Sequence, residues 1–165
     1  MEEEMNTTII YMTKHGTAEK AARILEEKIR DNVQIINLKQ DKNPDLSDFD
    51  TIIIGGSIHI GKIQKGIKNF CIKNMNILLR KRIGLYLCCM EQGTNACKQF
   101  DDAFPLELRK HASATGQFGG EFYFQRMNFI ERAIIKKIAN IEESISKLDV
   151  KAIDKFLDEI LGDTI

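Results

Sequence analysis

Short β-rich apolar runs alternate with longer stretches of helical periodicity along this chain, and that alternation is the pattern of a parallel sheet covered by helices on both faces. Parallel strands need crossover connections, so each is buried on both sides and reads as a near-continuous apolar run. Five such runs stand out, at residues 7–12, 33–38, 51–55, 83–89 and 116–124, the last with glycines that suggest a bend or a close backbone approach. Helical spacing predicts helices over 17–29, 64–74, 95–103, 106–111 and 150–161. Residues 128–141, with Ile130, Ile134, Ile135, Ile138 and Ile141 at the same spacing, form an additional expected helix, read as packed on its own domain. With 165 residues and no linker or repeat, one α/β domain over 1–165 is expected.

Composition removes several function classes. The 24 basic and 24 acidic residues cancel, which leaves no global field of the kind a nucleic-acid binder relies on, so no nucleic-acid partner is expected. Cys71, Cys88, Cys89 and Cys97 form no CxxC pair and stand in no His cluster, against a zinc site or a dithiol redox pair. Cys88 and Cys89, adjacent on a strand, point to opposite faces and read as small buried hydrophobes. Glu2, Glu3 and Glu4 oppose the basic start of a signal peptide, and no apolar run approaches the ~20 residues of a membrane span. A cytoplasmic protein with reduced cysteines is expected.

In an open parallel sheet, ligands bind beyond the carboxyl ends of the strands where strand order reverses. After the first strand comes Thr13-Lys14-His15-Gly16-Thr17-Ala18, rich in hydroxyls and in backbone N–H groups at the mouth of a helix, which is the make-up of a phosphate cradle. Neither GxxxxGK(S/T) nor GxGxxG is present, so this is neither a P-loop nor a dinucleotide turn. A phosphoryl-accepting receiver would place clustered acids near the end of this strand, where Ile9, Ile10, Tyr11 and Met12 stand instead. The plainer alternative, Thr13 or Thr17 as a simple helix cap, stays open at this point.

That first loop resembles the FMN-phosphate loop of flavodoxins. The segment Ile52-Ile53-Ile54-Gly55-Gly56-Ser57-Ile58-His59-Ile60-Gly61 is similar to the flavodoxin segment that supports one side of the isoalloxazine ring, closest in form to the menaquinone-dependent protoporphyrinogen dehydrogenase branch. Cys88-Cys89-Met90-Glu91-Gln92-Gly93-Thr94 sits where flavodoxins place the other face of the ring. It departs from their pattern, because the chain has no Trp and neither ring loop holds an aromatic residue, leaving His59 and Met90 as substitutes. The resemblance implies a flavodoxin-like doubly wound, five-stranded parallel sheet and FMN as cofactor. It implies binding by Thr13, Lys14, His15, Gly16, Thr17 and Ala18, by Gly56, Ser57, Ile58, His59, Ile60 and Gly61, and by Cys89, Met90 and Glu91. Small residues at 55–57 would let backbone approach the ring edge.

The implied function is electron carriage between a donor and an acceptor, with a quinone-dependent protoporphyrinogen IX dehydrogenase activity as the alternative and a flavin-free binding module as a third reading. No acidic residue occurs from Thr51 to Met90, whereas Lys62, Lys65, Lys68, Lys73, Arg80, Lys81 and Arg82 are basic. Such a run would steer an acidic redox protein or a small anionic substrate, or is simply a solvated face. A peripheral membrane contact and a homodimer are further options.

Overall fold

The computed structural model describes residues 4–30, 32–91, 93–122, 130, 145–146 and 148–162. Five strands, β1 (Thr7–Tyr11), β2 (Val33–Asn37), β3 (Thr51–Ser57), β4 (Arg82–Cys88) and β5 (Ala114–Gln117), form one parallel sheet in the order β2-β1-β3-β4-β5. The order reverses between β1 and β3, which makes the carboxyl ends of those two strands the switch point.

Side-chain alternation along the buried strands divides the core in two. Ile10, Ile52, Ile54, Leu85 and Leu87 meet α2 (Lys65–Lys73), α3 (Met75–Leu78), α4 (Gly93–Ala103) and α5 (Leu106–His111), chiefly through Ile67, Phe70, Leu78, Phe100 and Leu108. Ile9, Tyr11, Ile53, Tyr86 and Cys88 meet α1 (Thr17–Lys28) and α6 (Val150–Leu161) through Ala18, Ala21, Leu25, Ile153, Phe156 and Ile160. Helix α6 starts at Asp149, whose carboxylate accepts the Ala152 N–H at 3.0 Å and so caps the first turn. The fold class expected from the alternation, five parallel strands with helices on both faces, is therefore present.

One expectation needs correction, and one helix is added. The fifth strand begins and ends earlier than 116–124, because Gly119 takes a left-handed φ of 76° and stops the extension. Glu121–Phe122 (β6) then leaves the main sheet and pairs antiparallel with Ile145–Ser146 (β7). Helix α3, a single turn of four residues, carries too little periodicity to be read from sequence. The expected helix over 128–141 lies outside the described residues except for Ile130, which is 68% exposed.

Candidate functional site

The first loop owes its shape to one residue. Gly16 adopts φ 99°, ψ −4°, a left-handed conformation that costs a side-chain-bearing residue roughly 1 kcal/mol or more, and it serves as N-cap of α1 with no side-chain cap bond. The Thr13 hydroxyl accepts the Gly16 N–H at 2.9 Å and braces the turn. Thr13 therefore shapes the loop before the helix, which answers the capping alternative raised above. Thr17, 5% exposed, opens the helix instead of capping it. The first turn of α1 thus presents the N–H groups of Thr17, Ala18 and Glu19 at the positive end of a 12-residue helix. Glu19 brings a negative charge to this turn, and Arg23 lies 3.6 Å from its carboxylate and offsets it.

The second loop is a tight hairpin. His59 and Lys62 exchange backbone bonds, His59 N–H to Lys62 carbonyl at 2.8 Å and the reverse at 3.2 Å. Between them Ile60 and Gly61 both have positive φ, 48° and 76°, the signature of a type I′ turn. A β-branched residue in the left-handed region stores strain of about 1–3 kcal/mol, and the Ile60 side chain is half-exposed at the loop tip. Among the described residues, no hydrogen bond uses the Ile60 or Gly61 N–H. Ser57 is held differently: its N–H is accepted by Gln64 Oε1 at 3.2 Å, and Gln64 Nε2 donates to its hydroxyl at 3.0 Å. Gln64, which the sequence offered only as a helix start, thus holds the root of the hairpin.

The glycines at 55 and 56 have a reason other than ligand approach. A Cβ on Gly55 would stand 1.9 Å from the Tyr86 ring, and one on Gly56 2.8 Å from Ile63. Their missing side chains are taken up by internal packing. Tyr86 is the keystone here: fully buried, it donates its hydroxyl proton to the Ala18 carbonyl at 2.9 Å and stacks on Phe118 with ring centroids 5.0 Å apart. Burial pushes its phenol well above the usual range, so it remains a neutral donor.

Lys14, His15 and His59 join the first two loops, a juxtaposition that sequence spacing did not reveal. Lys14 Nζ lies 3.1 Å from His59 Nε2, and the imidazoles of His15 and His59 meet edge-on with centroids 5.4 Å apart. The third loop follows β4, which stays in register with β3 up to the pair Ser57–Cys88, and the Ile58 N–H donates to the Cys88 carbonyl at 2.8 Å. The second and third loops therefore leave the sheet side by side. Cys88 and Cys89 are buried on opposite faces of the sheet, as expected, and all four cysteines are free thiols. Burial, with the Glu91 charge, pushes the Cys89 thiol up to about 11. Its side chain belongs to the core, so only its backbone can face a ligand, while Met90 is half-buried and Glu91 exposed.

The basic run splits. Lys62, Lys65 and Lys68 lie on the hairpin and on the adjoining start of α2. Arg82 opens β4 at the opposite end of the sheet, where its guanidinium donates to the Ile160 carbonyl at 2.9 Å, and Lys81 donates to the Ser47 carbonyl at 3.1 Å. No helix among the described residues is long and apolar enough to cross a membrane, and no group of His, Cys, Asp or Glu among them is placed to hold a metal ion.

Known proteins share this fold. Solved structures similar to the chain include a short-chain flavodoxin associated with a bacterial microcompartment, at 14% identity and TM-score 0.55, covering 98% of this chain and 99% of that one. A flavodoxin from Streptococcus pneumonia matches at 15% identity and TM-score 0.54, covering 96% and 99%. A mutant flavodoxin from Fusobacterium nucleatum, bound to flavin mononucleotide, matches at 16% identity and TM-score 0.53, covering 97% of each chain. Identities this low speak for the fold. No curated protein sequence matches the chain. A family model described as Flavodoxin domain matches residues 8–149, from β1 through all three loops to the start of α6, and the chain belongs to that family.

Proposed function

We propose that the chain binds one FMN non-covalently across its three switch-point loops and carries electrons between a donor and an acceptor. The observation that carries this reading is the uncapped start of α1 behind left-handed Gly16, immediately beyond β1 at the switch point. The residues present fit the group. The amides of Thr17, Ala18 and Glu19 suit a terminal phosphate, and the Lys14 ammonium offsets its charge. The Ile60 and Gly61 amides, together with the side chain of Ile58, suit a polar ring edge and its apolar face. Cys89, Met90 and Glu91 would border the opposite side.

FMN, when bound, supplies reversible one- and two-electron chemistry, and the chain's task is to hold and orient it. The strained Ile60–Gly61 turn fixes where the two amides point, the Ser57–Gln64 bonds keep the root of the hairpin in place, and Lys14 with His59 ties that hairpin to the phosphate loop. Lys62, Lys65 and Lys68 give this rim a positive field that favours an acidic redox protein or an anionic substrate. A second reading, quinone-dependent oxidation of protoporphyrinogen IX, rests on the Ile52–Gly61 segment and its resemblance to that branch.

The test is the visible spectrum of purified protein titrated with FMN. Quenched flavin fluorescence with one-to-one saturation supports the reading, and Gly16→Val should then weaken binding at least about tenfold, or 1.4 kcal/mol. A colourless protein that fails to titrate overturns it in favour of a flavin-free module. With FMN bound, assays with porphyrinogen plus quinone separate the second reading from electron carriage.

A further inference from the structure

Apart from the three loops, a cavity of about 280 Å³ opens between α2 and the segment that follows β2. Its floor is apolar, formed by Met12, Leu38 and Phe70, and its rim carries Lys39, Lys42 and Lys73. Leu38 and Phe70 are nearly fully buried and belong to the core, so this floor is a fixed surface. Met12 is pressed against the α2 backbone at Gly66, where a Cβ would stand 2.2 Å from the Met12 sulfur. The Lys73 ammonium donates to the Asn43 side chain, which keeps one cation positioned at the mouth.

Charge is sorted along this segment. Lys39 and Lys42 line the apolar cavity, whereas Asp41, Asp45 and Asp48 line a separate cleft of about 420 Å³ beside Asn6 and Phe49. Among the described residues, no carboxylate lines the apolar cavity. An apolar floor bordered by three lysines favours a ligand with an apolar body and an anionic head, because each half alone would leave the other half of the site unmatched. The volume lies near the low end of ligand pockets, roughly 300–1,000 Å³, and holds a body of one or two rings.

We infer that this cavity is a second binding site, which takes a small aromatic carboxylate. It shares no lining residue with the candidate flavin loops, so it does not depend on FMN being the cofactor.

The experiment is a fluorescence titration of the full chain with 1-naphthoate at low ionic strength, with 1-naphthamide and 1-naphthylmethylamine as neutral and cationic controls. One-to-one binding is expected, with the controls at least about tenfold weaker and with the naphthoate constant unchanged in the presence of saturating FMN. The Lys39→Glu, Lys42→Glu double variant alters two exposed side chains and should fold normally by circular dichroism while binding naphthoate at least about tenfold more weakly. Equal binding of the amide, an unaffected double variant or loss of binding on adding FMN each overturn the assignment. So does a dimer in sedimentation velocity that the double variant dissociates, which would give the cavity to a second copy of the chain. If FMN fails to bind but naphthoate binding follows the pattern above, the flavin reading falls and this one stands.

Discussion

Single residues set the shape of the candidate site more than side-chain chemistry does. Ile60 is the clearest case, a β-branched residue at φ 48° in a turn that Asn or Gly would occupy without strain. Ile60→Asn should therefore stabilise the protein by about 1 kcal/mol in denaturant unfolding. A loss of stability would mean that the exposed isoleucine is held by packing rather than tolerated. The thiols give a pH prediction. Burial raises Cys71 from 9.0 to about 12 and Cys89 to about 11, so both are protonated in the fold over a range where the unfolded chain ionises. Their contribution is complete below pH 9 and is lost as pH rises toward 11–12, at up to roughly 1.4 kcal/mol per pH unit for each thiol. Unfolding midpoints at pH 8 and pH 10.5 should fall more steeply for the native chain than for the Cys71→Ala, Cys89→Ala variant. Equal slopes would remove the thiols from the account.

The elements were legible wherever apolar runs or helical spacing extended over a full strand or several turns. β1, β3, β4, α1 and α6 follow their sequence expectations closely, because Ile9, Ile10, Ile52, Ile53, Ile54, Leu85 and Leu87 are buried on both faces and α6 repeats Ile153, Phe156, Leu157 and Ile160. The fifth strand was misplaced because Phe118 and Phe122 read as one continuing run, whereas Phe118 turns in to stack on Tyr86 and Gly119 ends the extension. The loop sequences pointed to a site at the switch point, but the Lys14–His59 contact, the Gln64 lock on Ser57 and the Tyr86 demand for Gly55 depend on residues brought together by the sheet. Gly84 makes a similar demand: a Cβ there would lie 2.6 Å from the Phe156 ring, so α6 sits directly on the β4 backbone. Gly84→Ala should cost about 1–3 kcal/mol, read as a lower urea midpoint. An unchanged midpoint would show that α6 shifts freely on the sheet.

At the scale of the molecule, neutrality conceals a division of charge. Lys62, Lys65 and Lys68 gather at the carboxyl end of the sheet, while Arg82 is tied to the end of α6 at the other. Reversing Lys65 and Lys68 to Glu should leave FMN affinity unchanged and slow reduction or oxidation by an acidic redox protein at low salt, with the difference vanishing in high salt. Rates that ignore ionic strength in both proteins would remove the steering role. The geometry of the loop after β1 has a wider consequence. A cradle made from main-chain amides, a left-handed glycine and a helix end uses groups that every residue possesses, so little of its grip is written in side-chain letters. Sequences can drift far apart around such a turn without dismantling it, and two chains that agree at only about one position in six can keep the same fold.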